Sequence, residues 1–158
     1  MKTPSLSDIK KELSLCHQQQ LIELCLRMAK FKKINKELLN YLLFEAQDES
    51  AYIKKIKGII EERFNDMPFN SLFFTTKYIR KTLRITKQYS QYSGNKLTET
   101  ELMIFFCTLL KKSYSQWRKY SALCNLYERL VAKITKDIAT LHEDLQYDYQ
   151  KEVEKLQL

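Results

Sequence analysis

Glycine and proline are nearly missing from this chain of 158 residues, with two of each. Tight hairpin turns draw heavily on both, so a fold built from many short strands is excluded on composition. Gly58 and Gly94 stand far apart, which rules out a glycine-rich phosphate loop or a dinucleotide fingerprint. Histidine is as scarce. His17 and His142 adjoin neither a glycine-rich elbow nor a cysteine in a recognised nucleophile signature, so the expectation is a non-enzyme with no catalytic residue and no cofactor. Cys16, Cys25, Cys107 and Cys124 form no Cys-x-x-Cys pair and have no histidine at zinc-ligand spacing, and they read as reduced core thiols. The longest apolar run, "LMIFFC", is far short of the roughly 18 to 20 residues a membrane span needs. The start "MKTPSLSDIKKEL" lacks the apolar heart of a signal peptide. A cytoplasmic protein without a membrane partner is therefore expected.

Helical periodicity is what the chain has in abundance. Apolar residues recur at three and four positions through nearly every segment, and sustained alternation is absent. The spacing predicts helices over 7–15, with Ser5 and Asp8 as a capping box, over 17–32, and over 36–47 with Asn35 as N-cap. A fourth covers 49–65, its Gly58 implying a close helix crossing, and a fifth covers 70–89, ended by the turn "SGNK" with Gly94 suited to a left-handed cap. Thr98 and Glu101 have capping-box spacing and mark the sixth start. A last periodic stretch from Leu123 to Leu156 is too long for one helix and should break near Thr140, whose spacing to Glu143 suggests another cap. The expected architecture is all-α, a single domain over 1–158. Its seven to eight helices would form stacked antiparallel hairpins, as an α-α superhelix or an irregular bundle.

Charge is unevenly placed. Residues 1–67 hold 12 basic and 10 acidic groups, residues 98–158 hold nine of each, and residues 68–97 hold six basic groups and no acid. At 100° per residue Lys77, Arg80, Lys81, Arg84 and Lys87 fall within about 120° of one helix, opposite Ile79, Thr82, Ile85 and Thr86. This stripe has three readings. It is a solvated face neutralised by acids such as Glu61, Glu62 and Asp66, or a surface for an acidic protein partner. Alternatively it is a nucleic-acid site, with Phe74, Tyr78, Tyr89 and Tyr92 along one border for stacking bases.

Two smaller candidates read more simply. In "LHEDLQYDY", Asp144 and Asp148 are four apart but His142 is off that pair, so His142, Glu143, Asp144 and Asp148 suit a helix start better than a metal. Trp117 is spaced from Phe106, Leu110 and Tyr114 as a core residue would be, although the adjoining Arg118 and Lys119 would also suit a partner anchor.

The stretches "LSDIKKELSLCHQQQLIELCLRMAKF", "ELLNYLLF", "YIKKIKGII" and "LHEDLQYDY" together resemble a family of small all-helical bacterial proteins catalogued as a domain of unknown function. The resemblance implies a helical superhelix of about this length and brings no activity with it. Function is expected to be that of a helical scaffold or protein-interaction domain, with Lys77, Arg80, Lys81, Arg84 and Lys87 as its candidate surface. The alternative is a nucleic-acid-binding module using the helix around 77–87.

Overall fold

The computed structural model describes residues 3–69 and 71–157, Tyr114 by its backbone alone. Among them there is no strand, and nine α-helices follow one another: α1 (Leu6–Ser14), α2 (Gln18–Phe31), α3 (Lys33–Asn40), α4 (Glu49–Asn65), α5 (Leu72–Ser93), α6 (Lys96–Lys112), α7 (Tyr114–Trp117), α8 (Ser121–Ile138) and α9 (Glu143–Glu154). A short π-helical turn, Tyr41–Glu45, follows α3. Where one domain is expected, the chain groups into two compact units, Met1–Phe44 and Glu45–Leu158.

The first unit holds α1 to α3. Ser5 and Asp8 form the expected capping box: the Ser5 hydroxyl accepts the Asp8 N–H at 3.2 Å, and the Asp8 carboxylate accepts the Ser5 N–H at 3.2 Å. Asn35 is not an N-cap. Lys32, extended at φ −143° and ψ 143°, already separates α2 from α3, and the Asn35 amide lies inside α3, donating to the Met28 carbonyl at 2.9 Å. The two helices pack as a hairpin. Of the apolar residues on α2 and α3, Leu21 and Leu39 are half-buried and Leu24, Cys25, Met28 and Leu38 are exposed, and no side chain of α1, α2 or α3 is buried.

The second unit is built around α6, which packs on α4, α5, α7 and α8, while α9 packs on α8. This hub arrangement is that of an irregular bundle. A helix touched on every side must be apolar on every side, and α6 buries Leu102, Met103, Ile104, Phe106, Cys107, Leu109 and Leu110. Ile56 and Ile60 of α4, Ile79 of α5, and Leu123, Ile134 and Ile138 of α8 close around it. Trp117 is fully buried, donates its indole N–H to the Leu110 carbonyl at 2.8 Å and packs on Tyr127, so its role is in the core. The Tyr114 side chain, part of that expectation, lies outside the described residues.

Several local expectations give way to longer-range partners. α6 begins at Lys96, not after Thr98, because Asn95 accepts the Leu97 N–H at 2.9 Å and serves as N-cap. Thr98 is buried and donates to Glu49 at 2.5 Å, and Glu101 pairs with Lys57 at 2.6 Å. α5 starts at Leu72; the expected start at Asn70 lies outside the described residues. It ends at Gly94, whose φ of 64° is the left-handed cap foreseen. No neighbour lies within 4 Å of a Cβ placed on Gly58, so no close crossing explains that glycine. The chain does break at Thr140, but Thr140 turns its hydroxyl back to the Asp137 carbonyl and His142 caps α9. The cysteines are free, yet only Cys107 is a core thiol; Cys16 and Cys124 are half-buried and Cys25 is exposed. Burial pushes the Cys107 thiol up to about 12.

Candidate functional site: a cationic groove on α5

Local hydrogen bonding explains how α5 holds its basic residues outward. Its inner face is a stripe of Thr75, Ile79, Thr82, Leu83, Thr86 and Ser90, all buried. A buried hydroxyl without a partner is costly, and these threonines satisfy theirs on the preceding turn. Thr75 donates to the Ser71 carbonyl at 2.9 Å, Thr82 to Tyr78 at 3.0 Å and Thr86 to Thr82 at 3.0 Å. Thr75 also reaches the Pro68 carbonyl at 2.6 Å, tying the helix start to the turn before it. With that face inward, Lys77, Arg80, Lys81 and Arg84 are exposed and Lys87 is half-buried.

A groove of about 900 Å3 runs along this face, lined by Ser71, Leu72, Phe73, Thr76, Lys77, Arg80, Lys81 and Arg84. Lys87 does not line it. Phe73, four residues before Lys77, lies on the same arc of the helix and is 66% exposed; the neighbouring Phe74 is 60% exposed. From Lys77 to Arg84 the cations span about 10 Å of helix at 1.5 Å per residue. None of Lys77, Arg80, Lys81, Arg84 and Lys87 forms an ion pair among the described residues. Neutralisation by Glu61, Glu62 and Asp66 is thus not realised: all three are exposed and none pairs with the stripe.

The tyrosine border is largely committed elsewhere. Tyr92 is buried, 6% exposed, and stacks edge-on with half-buried Tyr89. The Tyr89 carbonyl accepts the Tyr52 hydroxyl at 2.8 Å, tying α5 to α4. Tyr78 lies under the Arg63 guanidinium, 4.9 Å from the ring centroid. Arg63 Nε donates to Thr82 at 3.1 Å, while its Nη2 is buried without a hydrogen-bond acceptor, and the tyrosine ring face stands in for one. Of the four aromatic residues read as a stacking border, only Phe74 is exposed, and its ring stands edge-on to Phe73 at 5.5 Å. Phe73 and Leu72 at the groove mouth escaped the sequence reading, although the four-residue step from Phe73 to Lys77 was there to be seen.

His142 and its acidic neighbours serve α9. The His142 Nδ1 accepts the Asp144 N–H at 3.4 Å and lies 3.3 Å from Asp144 Oδ2, both side chains being exposed. Glu143 and Asp144 occupy the first turn, where the helix dipole favours negative charge. Among the described residues no group of three or more His, Cys, Asp and Glu is placed to hold a metal ion, and no helix is long and apolar enough to cross a membrane.

A second charge cluster, between α6 and α8, was not foreseen. Lys96 approaches Asp137 at 2.9 Å and Glu99 at 3.5 Å, and Lys133 approaches Glu99 at 2.7 Å and Asp137 at 2.9 Å. The hydrogen bond from Lys133 holds Glu99 below the usual carboxylate range. Burial pushes Asp137 up, but the hydrogen bonds from Lys96 and Lys133 prevail and its carboxyl is lowered. Asp137 raises Lys96, and Glu99 raises Lys133, each through its hydrogen bond.

Comparison with family models, with curated proteins and with solved structures returns no match to this chain.

Proposed function

We propose that this protein is a non-enzymatic helical interaction module that receives an acidic protein segment along α5. The reading rests on one observation: a ladder of cations with no carboxylate partner among the described residues, ending at exposed Leu72 and Phe73. A segment with carboxylates on successive helical turns and one bulky apolar side chain matches both parts. The aromatic end would supply an anchor, and the cations would set on-rate, register and charge selectivity. The non-enzymatic part is supported by His17 and His142, both exposed and both at helix N-termini. Four free cysteines suit the reducing cytoplasm.

A nucleic-acid partner is the second reading, favoured by exposed Phe73 and Phe74 beside the cations but weakened by the tyrosines turned into the fold. One titration separates the two. A fluorescent acidic peptide carrying a single Phe or Leu should bind the intact protein and lose about a hundredfold in affinity with Arg80→Glu and Arg84→Glu together, and about tenfold with Phe73→Ala. Duplex and single-stranded oligonucleotides should bind more weakly. Tighter oligonucleotide binding, with log affinity falling linearly in log salt, would transfer the site to nucleic acid. Peptide affinity unmoved by the double reversal would remove the function from α5.

A further inference from the structure

The four cations that line the α5 groove do not stand in a single row. At about 100° per residue, Lys77 and Arg84 lie nearly one above the other, while Arg80 and Lys81 sit between them on either side of that line. Each edge of the rhombus they form is a three- or four-residue step, about 5 to 6 Å between Cβ atoms. Lys87 falls outside it and does not line the groove. Four exposed, flexible cations thus surround one centre.

A hydroxyl adjoins them. Thr75, Thr82 and Thr86 each return their hydroxyl to the carbonyl four residues back. The hydroxyl of Thr76, which lines the groove one turn before Arg80, makes no hydrogen bond among the described residues and remains available as a donor.

Carboxylates answer such an arrangement poorly. Each brings one charge, and filling the rhombus with several would crowd like charges at one-turn spacing on the partner itself. A phosphorylated side chain brings about two charges and three acceptor oxygens to one point. Arg80 and Arg84, one turn apart, offer planar forks that bond such oxygens in pairs, while Lys77 and Lys81 supply point charges.

We infer that the rhombus of Lys77, Arg80, Lys81 and Arg84 receives a phosphorylated side chain of the partner. The inference rests on the acidic-segment reading of α5 and makes phosphorylation of that segment the signal that loads the groove. The centre of the rhombus lies about 11 Å along the helix from Phe73, at 1.5 Å per residue. A partner helix covers that distance in about seven residues, or two turns, which sets the spacing between its modified residue and its apolar anchor. Phosphate is favoured at a helix N-terminus, so the modified residue precedes the anchor and the partner runs antiparallel to α5. Lys77 joins the two ends of the groove, its Nζ 5.9 Å from the Phe73 ring centroid.

The test titrates the full chain with two fluorescent peptides, alike except that one carries phosphoserine and the other glutamate about seven residues before a single Phe. The phosphopeptide should bind about tenfold more tightly. Arg80→Lys with Arg84→Lys keeps the charge but removes the forks, and should cut that difference to about twofold with little change for the glutamate peptide. Both side chains are exposed, so helical circular dichroism should not change. Equal affinity of the parent chain for the two peptides would overturn the inference and leave the acidic-segment reading standing. So would a preference undiminished by the double substitution, or release of the phosphopeptide by millimolar inorganic phosphate, which lacks the anchor. Failure of both peptides to bind would overturn the two together.

Discussion

Two cationic regions of the second unit differ in what their charges touch. On α5, five lysines and arginines lie at three- and four-residue spacing, and none forms an ion pair among the described residues. Between α6 and α8, Lys96 and Lys133 each meet both Glu99 and Asp137. The second arrangement has been spent on the fold: its cations and carboxylates answer one another, and the protonation equilibria of all four shift to favour the charged forms. The first costs stability, because like charges one turn apart repel by about 0.2 to 0.5 kcal/mol per pair. A basic residue count alone would treat the two as equal. What distinguishes them is whether an acid stands within reach, and that absence makes the stripe a candidate surface.

The same substitution should act with opposite sign in the two regions. Lys133→Glu places a third acid against Glu99 and Asp137 and should destabilise by about 2 kcal/mol in urea unfolding. Arg84→Glu exchanges three repulsions, with Arg80, Lys81 and Lys87, for attractions, and should stabilise by about 1 kcal/mol. Loss of stability at Arg84 would mean that the stripe has partners in the fold after all.

Acid should discriminate next. Glu99 and Asp137 titrate below their ordinary values in the folded protein, so their contribution is complete above roughly pH 4.5 and disappears as pH falls through the lowered values. Lys96 and Lys133 titrate above theirs, so their contribution holds up to the ordinary lysine range and is lost as pH rises through the raised values. Asp137→Asn should cost about 1 kcal/mol at neutral pH and flatten the acid limb of a stability-against-pH curve. Arg84→Gln should leave that limb unchanged. The smallest effect is that of salt. Raising ionic strength screens the repulsion on α5 and the attraction between α6 and α8 together, so Asp137→Asn should gain a few tenths of a kcal/mol more from added salt than the parent does.

Helix type and most extents were readable from periodicity, and α4 runs from Glu49 to Asn65 as the spacing implied. Errors arose where a residue suited to a local task was engaged by a distant one. Thr98 and Glu101 have capping-box spacing, but Glu49 and Lys57 of α4 hold them, and no local pattern reveals the register of one helix against another. Asn35 is likewise a natural cap whose amide was taken by Met28. The stripe on α5 was legible because its charges share one helix; the cluster of Lys96, Glu99, Lys133 and Asp137 was not, because half of it comes from each of two helices. On α2, which has no buried side chain, the limit is of a related kind: amphipathic spacing says that a face should be buried and nothing about what buries it.

The thiol of Cys107 carries a practical consequence. It sits at the centre of the α6 hub, fully enclosed and with its ionisation pushed up to about 12, whereas Cys25 lies open on α2. An alkylating reagent will therefore take Cys25 at the pace of simple chemistry and Cys107 only when the bundle comes apart. The chain thus contains its own stopwatch for the opening of its core, started by adding the reagent and read by mass spectrometry.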